Sequence, residues 1–268
     1  MIPKKIHYCW LSGEEIPEML KKCMATWKEI LPDYELVLWD KKKFDVNSVT
    51  FVKEAVSVKK WAFACDYIRL HAIYTEGGIY MDTDIIVKKS FDNFLNNSFF
   101  SAMEYHNPRP QGKDQVYLYE DGSTVQKIIG AAMQAAVFGA VAGHPFLKDC
   151  LDWYQNKHFF IPEKKLIDNI IIAPDIYATI AQKYGFRYIN EEQNLAKNMK
   201  IYPSPIISPN IWDFTKETYA VHCCAGSWLD DSFLSKITKK NNFLRKLFGR
   251  KPLIKDMYEF VQNSHTWK

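Results

Sequence analysis

Asp82 and Asp84 stand two residues apart inside the β-rich run Ile79-Tyr80-Met81-Asp82-Thr83-Asp84-Ile85-Ile86-Val87. Carboxylates at that spacing on an extended chain project to the same side. Two close anions then need a cation, because burying an ionised carboxylate without a partner costs several kcal/mol. The pair therefore reads either as an oxygen-ligand site for Mg²⁺ or Mn²⁺ that substrate phosphates complete, or as a strand end whose two Asp face water. Upstream, Asp66 and Arg69 fall at i and i+3 on an otherwise apolar helix leading through Gly77-Gly78 into the same run. They form either an ordinary salt bridge or a polar pair on the same cleft. In the second case Arg69 contacts phosphate or a sugar hydroxyl, and Asp66 accepts hydrogen bonds from sugar hydroxyls. By residue type alone, His7 and His222 read as satisfied core or strand histidines.

The elements that position these groups are legible from pattern. Ile6 to Trp10 reads as a strand, Pro17 to Leu31 as a helix opened by one proline and closed before another, and Glu35 to Trp39 as a second strand. That order builds open α/β sheets, which bind ligands at the carboxyl ends of their strands. A helix from about Val58 to Glu76 is apolar over most of its circumference and is expected to be buried. Further on, strands are expected at Phe99 to Met103 and Tyr219 to His222, and helices at Pro145 to Asn156 and Pro174 to Tyr184. Neither G-x-G-x-x-G nor a P-loop follows the first strand, so dinucleotide-binding and NTPase readings lack their fingerprint.

The chain of 268 residues can bury a core without disulfide or metal staples. Its six cysteines show no C-x-x-C pair and read as buried free thiols of a reducing compartment. No apolar signal run opens the N-terminus, and Ile128 to Gly143, interrupted by Gln134, is too short for a membrane span and reads as a buried element. The expectation is a cytoplasmic protein. Residues 236–268 hold nine Lys and Arg against Asp256 and Glu259, a balance of +7, which leaves the rest slightly acidic at −3. A slightly acidic body argues against nucleic acid as a partner. The chain divides into a body, 1–230, and a basic tail, 231–268. Within the tail, residues 236–255 suit a helix lying on an anionic membrane surface, or one packed on the body.

The stretches Trp61-Ala62-Phe63-Ala64-Cys65-Asp66-Tyr67-Ile68-Arg69-Leu70 and Ile73-Tyr74-Thr75-Glu76-Gly77-Gly78-Ile79-Tyr80-Met81-Asp82-Thr83-Asp84 closely resemble the D-x-D region of glycosyltransferase family 32. That family includes capsule and lipopolysaccharide sugar transferases and initiating mannosyltransferases, and is related to the large glucosylating toxins. The opening Ile2 to Trp10, Gly143-His144-Pro145-Phe146 and His222 to Trp228 match further landmarks. The resemblance implies a GT-A type α/β fold, a Rossmann-like nucleotide-binding sheet flanked by helices. It also implies Mn²⁺ or Mg²⁺, a nucleotide-sugar donor and a glycan or lipid-linked acceptor. By carry-over Asp84 ligates the metal, Asp82 holds the metal or the donor ribose, and His222 is a third metal or diphosphate contact. Asp66 and Arg69 hold donor sugar and diphosphate, Tyr8, Trp10 and Tyr80 belong to the donor site, and Ser227 and Trp228 close over the phosphates. Ala173-Pro174 departs from the family's Gly-Pro, which leaves the acceptor side least defined.

The family is retaining, yet no carboxylate nucleophile stands out, so same-face attack with the departing phosphate taking the acceptor proton is the preferred scheme. Two other classes compete. A D-x-D-x-T type phosphatase expects Thr or Val where Ile86 stands, and a non-catalytic peripheral membrane protein leaves the Asp cluster idle.

Overall fold

The computed structural model describes residues 1–106, 113–119, 121–159, 171–208, 214–223 and 254–263. In chain order, β1 (Lys5–Cys9), α1 (Glu18–Ile30) and β2 (Glu35–Trp39) form the expected parallel unit. Next come α2 (Thr50–Ser57), α3 (Trp61–Glu76), β3 (Gly78–Met81), β4 (Ile85–Val87) and β5 (Phe99–Tyr105). The hairpin β6 (Gln115–Leu118) and β7 (Thr124–Lys127) precedes β8 (Ala131–Met133), β9 (Val137–Ala140), α4 (Pro145–Tyr154) and α5 (Ala173–Ala181). The remaining elements are β10 (Gln193–Leu195), β11 (Met199–Tyr202), β12 (Ile207–Ser208), β13 (Ala220–His222) and α6 (Ile254–Asn263).

The α/β class holds. The main sheet runs β10-β11-β5-β9-β3-β1-β2, with β8 also paired to β5. Around β1 it is parallel, and antiparallel β9 separates β3 from β5. Its two faces follow the strand period of two. Tyr80, Phe99, Met103 and Phe138 turn into a core shared with α2 to α5. Ile79, Met81, Phe100 and Val137 turn to the other face, where α1 supplies Trp27, its C-cap position supplies Leu31, and a three-stranded sheet, β12-β13-β4, supplies Ile85, Val87 and Ala220.

Several boundaries moved. The helix expected from Val58 is α3, which starts at Trp61 after Lys59 takes φ 58°, and the preceding α2 was not expected at all. Its eight residues bury Phe51, Val52 and Ala55 without a side-chain cap, leaving little local signal. Within Ile128 to Gly143, residues 131–140 are buried as anticipated, but as β8, β9 and the segment between them. Among the described residues no helix is long and apolar enough to cross a membrane. The five described cysteines are buried. Cys224, Ser227, Trp228 and residues 236–253 of the basic tail lie outside the described residues. At the tail's end, α6 buries Val261 against Cys23, Ile86, Val221 and Cys223, so that part packs on the body.

Gly77 and Gly78 let α3 turn directly into β3. Gly77 adopts φ 66°, ψ 177°, a region open essentially to glycine alone, and a Cβ there would sit 3.0 Å from the Ala142 nitrogen. Its carbonyl lies 2.8 Å from His7 Nε2, while Trp39 Nε1 donates to His7 Nδ1 at 2.9 Å. His7 is thus a satisfied core histidine. Burial, opposed by the Gly77 bond, pulls its pKa down to about 4.

Gly77→Ala should cost about 1–3 kcal/mol of stability, read from urea midpoints; a loss within error would mean that the chain re-routes around the added Cβ. The depressed His7 pKa carries a defined pH dependence. The unfolded imidazole binds a proton near pH 6.5 and the folded one only near pH 4, so stability is full above 6.5 and is lost as pH falls through that window. Between pH 7.5 and 4 the wild type should lose up to about 3 kcal/mol more than His7→Gln. Equal losses in the two proteins would assign the pH dependence elsewhere.

Candidate active site

β3 ends at Met81, and the chain then leaves the main sheet. The Asp82 nitrogen donates to the Ala136 carbonyl at 2.9 Å, and the Ile85 nitrogen closes a turn on the Asp82 carbonyl at 3.1 Å. Ile85 opens β4 in the small sheet, opposite His222 on β13. The carboxylates of Asp82 and Asp84 therefore meet on a turn between two sheets, not on one extended strand as the spacing suggested. With His222 Nε2 they form a group whose ligand atoms all lie within 4.8 Å of one another, and Nε2 is 3.4 Å from Asp84 Oδ1. Two carboxylates and an imidazole are a donor set that suits a divalent cation. The imidazole fits Mn²⁺ better than an all-oxygen Mg²⁺ site. These three residues fit the metal that the motif implies.

Behind the turn, α3 presents Asp66 and Arg69, both buried. Arg69 Nη2 lies 3.0 Å from Asp66 Oδ1 and 3.5 Å from Asp82 Oδ1. Its Nη1 donates to the Ala135 carbonyl at 2.9 Å and its Nε to the Cys65 carbonyl at 3.2 Å, while its guanidinium stacks 4.8 Å from the Tyr80 ring centroid. Tyr80, also buried, donates its hydroxyl to Asp82 Oδ1 at 2.7 Å. Burial would lower the Arg69 pKa, but Asp82, Tyr80 and Asp66 raise it well above its ordinary value. Burial lifts Asp66 to about 7, Arg69 opposing and Asp82 adding to the shift. Burial likewise raises the Tyr80 hydroxyl, which keeps it a donor to Asp82.

The structure thus joins Asp66, Arg69, Tyr80, Asp82, Asp84 and His222 in one network. Tyr8 and Trp10 stand outside these contacts. Tyr8 is half-buried, edge-on to Trp27 at 5.9 Å, and Trp27 Nε1 donates to the Ile85 carbonyl just past the turn. Trp10 donates to the Glu14 carbonyl at 2.6 Å. Ser227 and Trp228 lie outside the described residues.

One residue was missed. Gln134, 1% exposed, opens the segment whose Ala135 and Ala136 carbonyls receive Arg69 and Asp82. Its Oε1 accepts from the Ala136 nitrogen at 3.1 Å, but its buried Nε2 has no partner among the described residues. A lone amide breaking an otherwise apolar run was the available signal.

Comparison with known proteins agrees with the motif. Residues 17–100 match the family described as a glycosyltransferase sugar-binding region containing a DXD motif. An uncharacterised glycosyltransferase of Acanthamoeba polyphaga mimivirus is 30% identical over 106 residues, covering 37% of this chain and 42% of that protein. Inositol phosphoceramide mannosyltransferase 3 of Schizosaccharomyces pombe is 27% identical over 150 residues, 54% of this chain and 35% of that one. The chain thus spans less than half the length of these relatives. Among solved structures, a glycosyltransferase involved in glycosylation of the PBCV-1 major capsid is 13% identical over 82% of this chain and 93% of that one, with a TM-score of 0.45. The segment that carries the Asp82 turn is thus similar to a glycosyltransferase sugar-binding region containing a DXD motif.

Arg69→Ala should destabilise the fold by about 3–5 kcal/mol, because it leaves Asp66 and Asp82 facing each other in a buried site. Urea unfolding checks this; a loss within the range of exposed pairs, about 0–1 kcal/mol, would mean that water already compensates both carboxylates.

Proposed function

We propose that the protein is a metal-dependent glycosyltransferase. It moves a sugar from a nucleotide-sugar donor, a UDP-sugar first and GDP-mannose second, onto a glycan or lipid-linked acceptor with retention. The observation that carries this reading is the Asp82, Asp84 and His222 group, set on the turn inside the matched segment 17–100. A divalent cation held by the three residues would neutralise charge building on the departing nucleoside diphosphate. The lipid-modifying name of the fission yeast relative supports including GDP-mannose and lipid-linked acceptors among the candidates.

In this reading the chain's own groups divide the work. Tyr80 and Arg69 hold Asp82 through its Oδ1; Arg69, its guanidinium bound to protein partners, acts on the donor through Asp82. Asp66, neutral or charged near pH 7, receives sugar hydroxyls. Tyr8 and Trp10 line the nucleoside side, and Ser227 and Trp228 close over the phosphates. Same-face attack needs no protein nucleophile, the departing phosphate taking the acceptor proton. The basic residues of 236–255 would hold the protein near anionic lipid, where lipid-linked acceptors reside.

Incubation with UDP- and GDP-sugars and Mn²⁺ tests the reading through donor hydrolysis. Asp84→Asn should lower turnover by about 100-fold or more with little change in melting temperature, and chelation should act alike. Full activity after exhaustive removal of divalent ions would overturn the metal assignment, and hydrolysis of none of the donors would overturn the transferase.

A further inference from the structure

A second cleft lies where β11 ends and β13 begins, against the short helical turn Phe91–Phe94. It holds about 270 Å³, just below the usual range of small-molecule sites, about 300–1,000 Å³, and room for one ring-sized group. Phe94 is buried at its base. Tyr202 and Tyr219, both half-buried, place their ring centroids 4.9 and 4.6 Å from that of Phe94, tilted by 54° and 52°. Polar groups rim these rings. Asn93 Nδ2 donates to the Tyr219 hydroxyl at 3.0 Å, and the carboxylates of Glu192 and Glu217 complete the lining.

Aromatic faces beside carboxylates suit two ligand classes, an organic cation or a sugar ring. The charges choose between them. Lys200 Nζ already lies 5.3 Å from the Tyr202 ring centroid and 2.8 Å from Glu192, and Lys89 Nζ lies 5.2 Å from the Tyr219 centroid. The protein's own ammonium groups therefore already lie near both tyrosine rings, Lys200 paired with Glu192 and Lys89 bonded to the Lys216 carbonyl. Another cation would meet like charge. A neutral ring with apolar C–H edges and several hydroxyls matches both the aromatic surface and the rim.

The position relative to the Asp82 turn follows from strand register. Lys200 pairs with Phe100, Phe100 with Gly139 and Gly139 with Ile79. Tyr202 is two residues beyond this row on its strand, as Met81 is on the parallel β3. Three strand spacings separate the two, roughly 14 Å. Tyr219, the residue just before β13, precedes His222 by three residues, roughly 10 Å. One oligosaccharide of a few sugars can span that separation.

We propose that this cleft binds a neutral oligosaccharide, one ring seated on Phe94, Tyr202 and Tyr219, at a site separate from the Asp82, Asp84 and His222 group. That the bound glycan is the acceptor rests on the transferase reading; the binding does not. Saturation-transfer NMR tests it on the full chain in EDTA without nucleotide, with neutral trisaccharides of gluco, manno and galacto configuration as probes. At least one should bind, Tyr202→Ala and Glu217→Gln should each weaken it by about five-fold or more, and Asp84→Asn should leave it unchanged. Glu217→Gln, an exposed and conservative change, keeps the test decisive if Tyr202→Ala fails to fold. No binding by any of the three sugars would overturn the proposal. So would loss on Asp84→Asn with retention in the cleft variants, or displacement of the sugar by tetramethylammonium. Donor hydrolysis measured in parallel should be unchanged by the cleft variants. Its absence in the wild type beside intact sugar binding would sink the transferase reading alone.

Discussion

The buried guanidinium of Arg69 is the constraint on which the rest of the site depends. A charge that leaves water must be met by opposite charge and hydrogen bonds in good geometry, and Arg69 finds these on three separate pieces of chain. Asp66 comes from its own helix, Asp82 from the turn after β3, and the Ala135 carbonyl from the segment between β8 and β9. Satisfying one side chain therefore sets the position of α3 against the turn and of the turn against the strand beside it. Tyr80 adds a second hold on the same Asp82 oxygen. The carboxylate that would face a metal is thus oriented from behind by groups with almost no access to water.

The turn's place between two sheets explains how a three-residue group forms at all. β3 belongs to the main sheet and β4 to the small one, and the antiparallel ladder of β4 with β13 brings His222 opposite Ile85, next to Asp84. The small sheet in turn depends on its packing. Trp27 of α1 donates to the Ile85 carbonyl at 2.7 Å, the Thr26 hydroxyl accepts from the Val87 nitrogen at 3.0 Å, and α6 covers the outer side through Val261. Groups remote from the carboxylates thus share in holding the third ligand in place.

The glycine pair at the end of α3 serves the same geometry from the other direction. A helix that is buried on nearly every side cannot end in a long loop without unburying its last turn. Gly77 and Gly78 pass the chain into β3 within two residues by adopting backbone angles closed to other side chains. His7 closes the junction by bonding the Gly77 carbonyl and Trp39 together, and its burial keeps the imidazole from titrating near neutral pH.

The strand and helix pattern of the first 40 residues, the buried character of α3 and the identity of Asp66, Arg69, Asp82 and Asp84 were legible in the amino-acid sequence, because each is written within a few residues by period, turn chemistry or charge spacing. Much of the rest was not. The spacing of Asp82 and Asp84 pointed to the right residues for an incomplete reason, since a turn and not an extended strand brings them together. α2 hid because its helix is held by burial of Phe51, Val52 and Ala55 and not by caps. Gln134 and the Ala135 carbonyl that Arg69 bonds stayed unassigned because they are 65 or more residues away in the chain, and His222 is brought beside Asp84 only by the β4–β13 ladder of the small sheet. Local sequence determines which residues can carry charge and where the backbone can turn. Which charges share one desolvated site is decided by the tertiary packing, because the cost of burying them is met only when distant segments come together.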